Sequence, residues 1–248
     1  MKPVLTCLAV SATLALTGLI QAQTYTFVTP SGSTDTASDK VSAEALFTVG
    51  NGTLTIDLSN LLTAAEVKNV GQNLSDISFT LSQTPTAFSV ESSTSTFIDV
   101  NGNGAGSVTI SHDQDGYMDK MGWGLHSLGS GGFHLDGLAG LYTPAMTLIG
   151  GTEGVLTPYA NANSSICHGT GPHNPFAQGE ADFTLNMAGI TAGTEITSAT
   201  FSFGTAGGDD VNGRFVPPSP TPEPFTLAFA GFGALLGMSK VRRTARAR

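Results

Sequence analysis

Leu54, Ile56 and Leu58 alternate with Thr53, Thr55 and Asp57, so an extended chain there has one apolar and one polar face. The same period of two recurs at 24–29, 43–49, 77–81, 88–90, 96–100, 108–112, 183–187 and 196–203. Clusters of Gly, Asn and Ser separate these runs. Gly50-Asn51-Gly52 is the clearest, because Asn-Gly tolerates the positive φ that a tight hairpin turn needs. Strands at this spacing predict an all-β body, a β-sandwich of jelly-roll type with about 8 to 12 strands and Gly-rich loops. Charged residues are only 12% of the chain, about half the usual ~25%, which excludes a coiled coil or a charged helical bundle. One helix is expected, over 61–69, with Thr63 as N-cap and Glu66 three residues later.

Two glycine-rich stretches interrupt the pattern. Residues 122–140 contain seven glycines among Trp123, His126, Phe133 and His134, and read as a loop-rich crossing between two sheets. Residues 152–178 read as irregular.

The two ends differ from the body. Lys2 followed by an apolar run from Val4 to Ile20, then Gln21-Ala22-Gln23, predicts a secretory signal peptide over 1–22. Cys7 lies inside that run, too early for a lipoprotein cysteine. The body is assigned to 23–215. A Pro-rich linker with Pro222, Glu223 and Pro224 covers 216–224, and 225–248 forms a C-terminal transmembrane helix and basic tail. The tail carries Lys240, Arg242, Arg243, Arg246 and Arg248, which hold the C-terminus inside and leave the body outside. The apolar stretch is near the lower length limit for a span.

Between Gln23 and Thr221 only Lys40, Lys68, Lys120 and Arg214 face 18 acidic residues, a net charge near −14. Such a body repels phosphate backbones, which argues against nucleic acid as a partner. It tolerates cations and neutral or cationic polymers.

The ordered tail, Pro-Glu-Pro then a short apolar segment then an Arg-rich end, resembles the PEP-CTERM sorting signal of exported proteins in many Gram-negative bacteria. The likeness covers Ser219 to Arg248. It implies a partner, a membrane-embedded exosortase that processes the tail. It also implies a protein anchored in the membrane before processing, then at the cell surface or in the extracellular matrix. The stretch from Gly171-Pro172-His173-Asn174-Pro175 to Phe201-Ser202-Phe203-Gly204-Thr205 resembles a recurrent, uncharacterised body type among PEP-CTERM proteins. The resemblance implies a structural or interaction role associated with exopolysaccharide. It transfers no catalytic residue.

Within the body, Asp99, Asn101 and Asn103 fit the first half of a calcium loop, and Asp113, Asp115 and Asp119 fit part of another. Both lack the closing Glu, and hairpin turns need the same residues. Cys167, His168 and His173 lie close together. Cys167 is the only cysteine left after signal removal, so it has no disulfide partner within the mature chain. Nothing in the spacing of His112, His126 or His134 gathers them into a metal site. No nucleophile elbow, H-E-x-x-H or phosphate loop is present, and no catalytic residue is assigned. The competing reading is a carbohydrate-binding protein or secreted enzyme acting on polysaccharide. Clustered exposed aromatics on a sheet face would favour binding. Paired carboxylates in a cleft would favour catalysis.

Overall fold

A computed structural model describes residues 22–101, 107–110, 121–141, 143–166, 172–206 and 209–218. The chain divides into two units, Met1–Phe215 and Val216–Arg248. The signal segment up to residue 21 lies outside the described residues. So do Pro222, Glu223 and Pro224, the apolar stretch, and Lys240, Arg242, Arg243, Arg246 and Arg248. Among the described residues, no helix is long and apolar enough to cross a membrane.

The body is all-β. The described residues form thirteen strands, more than the 8 to 12 expected. They are β1 (Gln23–Val28), β2 (Ala43–Val49), β3 (Thr53–Asn60), β4 (Leu74–Leu81), β5 (Ala87–Asn101), β6 (Ser107–Ile110) and β7 (Gly124–Gly129). Then follow β8 (Gly132–Asp136), β9 (Leu148–Ile149), β10 (Phe176–Ala188), β11 (Ile196–Phe203), β12 (Asp209–Asn212) and β13 (Arg214–Val216). The hydrogen-bonded order is β12-β11-β4-β9-β10-β3-β2-β1-β13. β5 adds to β10 and carries β6, while β8 adds to β4 and carries β7.

Period-two patterning explains the core. In β2 and β3 every second residue is buried, and Leu54, Ile56 and Leu58 are fully enclosed. The left-handed backbone of the β2–β3 turn falls on Gly52 (φ 76°). Phe47 of β2 meets Phe79 of β4 with ring centroids 5.4 Å apart, although these strands are not neighbours in the ladder. The aromatic side chains therefore join across the interior. Phe79 continues to Phe133, and Trp123 packs 5.2 Å from Phe183. A second, smaller cluster gathers Leu62, Val67, Ile98, Val100, Ile149, Tyr159, Ile166 and Phe176.

Two joints hold the ladder path together. The short β9 pairs with Leu74 of β4 on one side and runs parallel to Ala177 and Gln178 of β10 on the other. At the far end, β12 pairs with β11 and the chain passes through Gly213 into β13, beside β1. The two ends of the path are thus joined covalently by one residue. Gly213 donates its N–H to Ala199 O (2.8 Å), and a Cβ there would lie 2.9 Å from that oxygen and 3.3 Å from Phe27 Cβ.

Two expectations are corrected. Residues 122–140 are not a loop crossing. They hold an antiparallel hairpin, with β7 paired to β8 around Ser130 and Gly131, both at positive φ as a primed hairpin turn requires. Residues 61–69 form no helix. Thr63 and Glu66 do pair, through Glu66 N–H to Thr63 O (2.9 Å) and the Glu66 carboxylate accepting from Thr63 N–H and Oγ1 (2.9 Å each). The turn stops there because the Gln72 side chain takes neighbouring backbone groups. It accepts from Lys68 N–H (2.6 Å) and donates to Glu66 O (3.2 Å) and Lys40 O (2.8 Å). The capping box sits instead at Asn69 and Gln72, around a single 3-10 turn, Val70–Gln72.

Candidate functional site

The strand register places a polar row across the face of β4 opposite the core. Ile77 pairs with Leu135 and Phe79 with Phe133, and all four are buried. The alternate positions must then point the other way. There Asp76 stands opposite Asp136, and Ser78 opposite His134. Ser202 of β11 lies beside Asp76, and Asp210 of β12 beside Ser202. On the other flank, β7 sets His126 opposite His134 and Gly124 opposite Asp136. The His126 ring leans over Gly124, where a Cβ would come within 2.8 Å of Nε2.

Asp76 is the unusual member of this row. It is only 4% exposed. Its Oδ1 lies 2.9 Å from His134 Nε2, yet it makes no aligned hydrogen bond among the described residues. Ser75 Oγ donates to Oδ2 over a long 3.4 Å, while the Ser202 hydroxyl is directed to Asp210. His134 Nδ1 lies 3.8 Å from Asp136 Oδ2. Burial pushes the Asp76 carboxyl above its ordinary range, and the Asp136 charge adds to that. Ser202 and His134 pull the other way. One donor atom from each of Asp76, His134 and Asp136 lies within 4.8 Å of the others.

A second feature is a cleft of about 350 Å³, bordered by Ser59, Thr63, Gly151, Glu153, Gly179 and Glu180. Glu153 accepts from Thr96 Oγ1 (2.8 Å). The Glu180 carboxyl is raised, first by burial and then by the charges of Asp182, Glu153, Asp57 and Glu44. Among the described residues, exposed aromatics do not cluster on a flat face. Phe88 packs edge-on against Phe133, and Phe215 leans on Tyr25 and Phe27.

The calcium candidates are divided. Asp99 and Asn101 sit in β5, opposite Thr109 and Ser107 of β6. Asn101 Nδ2 donates to Thr109 Oγ1 (3.2 Å). Asn103, Asp113, Asp115 and Asp119 lie outside the described residues, as do Cys167, His168 and His112. His173 is half-buried.

Sequence reasoning missed Asp76 and Asp136, and left His126 and His134 ungathered. The signal lay in the turn at Gly129-Ser130-Gly131-Gly132. Read as a hairpin, it sets His126 against His134 and Gly124 against Asp136. No protein-family model, curated protein or solved structure matches this chain.

Proposed function

We propose that this is an exported, exosortase-sorted protein of the cell surface or extracellular matrix of a Gram-negative bacterium. Its role is structural or interactive, and its partner outside the cell is exopolysaccharide. The carrying observation is the order of parts along the chain: signal segment, acidic body, Pro-rich linker, Pro222-Glu223-Pro224, apolar segment, basic tail. The C-terminal segment enters the membrane only transiently, which suits its marginal length. Prolines on both sides of Glu223 restrict the backbone to few conformations, a feature a processing enzyme reads. The all-β body belongs with this reading as a jelly-roll-like sandwich. The contact of Phe47 with Phe79 between non-adjacent strands supports that layering.

The test is the C-terminal mass of the protein recovered from cells with an exosortase. Replacing Pro222, Glu223 and Pro224 by Ala should leave export intact and keep the tail attached. If wild type and triple mutant both retain Arg248, the motif is only an anchor.

A second reading, a polysaccharide-active enzyme, is favoured by one observation: Glu153 and Glu180 border the same cleft, and Glu180 holds its proton more tightly than an ordinary carboxyl. Release of reducing ends from exopolysaccharide by wild type, lost in Glu180→Gln, would establish it. No release by wild type would dismiss it.

A further inference from the structure

Asp76 combines burial with an oxygen that has no aligned hydrogen-bond donor. A buried carboxylate in that state is costly unless a cation compensates it. Among the described residues no Lys or Arg forms an ion pair with it: those of Lys40 and Lys68 go to Glu66 and Asp39. What flanks Asp76 is instead the His134 imidazole, with Nε2 2.9 Å from Oδ1, and the Asp136 carboxylate, two groups whose lone pairs suit a metal ion when the imidazole is neutral.

We propose that Asp76, His134 and Asp136 bind a divalent transition-metal ion of the zinc type. Three arguments choose the ion. First, two carboxylates and one imidazole carry the negative charge that a dication neutralises. Second, imidazole suits zinc and its neighbours, whereas calcium takes oxygen ligands alone. Third, the donors are already near their places. Ligands about 2 Å from a tetrahedral ion lie roughly 3.3 Å apart, and these three lie within 4.8 Å of one another. Small side-chain rotations close the difference. The scaffold is rigid, since Asp76 and Asp136 are a directly paired couple on adjacent strands and His134 follows two residues along the same face. Three protein ligands leave further coordination positions for water or for an oxygen-bearing group of another molecule. The exposed His126 stands on that same face.

This site is independent of tail processing and of the cleft. It differs from the calcium loop read at Asp99 both in place and in ion.

The experiment uses the full-length chain stripped with EDTA. Zinc at about 100 times its Kd should raise the melting temperature by about 5 to 10 °C. Cobalt should give the visible absorption of a low-coordinate site. Calcium at the same concentration should give neither. Asp136→Asn, at the less buried position, should remain folded and lose both responses, as should Asp76→Asn. The proposal is overturned if folded wild type shows no shift at millimolar zinc. It is overturned equally if zinc shifts the folded Asp136→Asn protein as far as wild type, which would place the ion elsewhere on the chain.

Discussion

Asp57 and Asp182 stand directly opposite each other on β3 and β10, two like charges on adjacent strands. Each is part of an alternation whose other face, Ile56 with Phe183 and Leu58 with Ala181, is buried in the core. The apolar contacts fix the register and leave the two carboxylates facing one another. Burial, then the Asp182 charge, raises the Asp57 carboxyl above its ordinary range.

Asp182→Thr should therefore stabilise the body, by about 0.5 to 1 kcal/mol, since like charges opposite each other are unfavourable and Thr suits a strand. The gain should shrink as salt screens the wild-type repulsion. Because the folded-state pKa of Asp57 is raised, wild-type stability is full below the ordinary carboxylate pKa and declines as pH rises through the raised value. Thermal melts of both proteins between pH 3 and 7 would show this. Identical pH profiles would contradict it.

The pairing of Lys40 with Glu66 (2.7 Å) has the opposite sign. The Lys40 ammonium, then Thr63 N–H and Oγ1, hold the Glu66 carboxyl down at about 2. Its contribution is present above the unfolded value of about 4.5 and is lost as pH falls toward 2. The pair is well exposed, so solvent limits it to under about 1 kcal/mol. Glu66→Gln should reduce stability by that amount at pH 7 and by much less at pH 2, as read from urea midpoints.

Much of this architecture is legible from residue order. β2 coincides with its predicted run because alternation there is unbroken and one face is fully buried, and β11 coincides with its run although a register shift between Ile196 and Ser198 interrupts the alternation. β5 reads as two pieces because Glu91 to Ser95 is polar. In the structure that stretch continues the ladder with β10 while most of its side chains face solvent. β9, β12 and β13 are too short to show a period. The β7–β8 hairpin is hidden by its glycines, some of which make the tight turn at 129–131 while others, such as Gly124 and Gly137, allow close approach. The Asp76, His134 and Asp136 group is hidden for a different reason. Asp76 is brought to the other two by pairing of distant strands, which no local spacing encodes.

Gly137 illustrates close approach. A Cβ there would lie 2.7 Å from the Trp123 ring and 2.9 Å from Ser75 O. Trp123 is itself held by its Nε1–H donating to Met146 O (3.0 Å). Gly137→Ala should cost about 1 to 3 kcal/mol through overpacking. Trp123 is the only tryptophan, so its emission reports the change directly. A spectrum and melting temperature equal to wild type would show that the ring moves freely.

Phe47 is fully buried where the rings of Phe27 and Phe79 meet it, at 6.0 and 5.4 Å. Phe47→Ala should cost about 3 to 5 kcal/mol, lost burial plus a cavity. Phe215→Ala, at a 41% exposed position against the same cluster, should cost much less. Denaturant midpoints that rank the two in the reverse order would contradict the interior assigned to β2 and β4.

The covalent joint at Gly213 also sets a timetable. β1 emerges first from synthesis and β13 last, so the ladder between them waits for nearly the whole body. Until then β1 has one neighbour, β2, and its other edge stays open. A chain halted before Gly213 would keep that edge available for pairing with another copy. Completion of the body is therefore a late event that coincides with arrival of the segment leading to the tail.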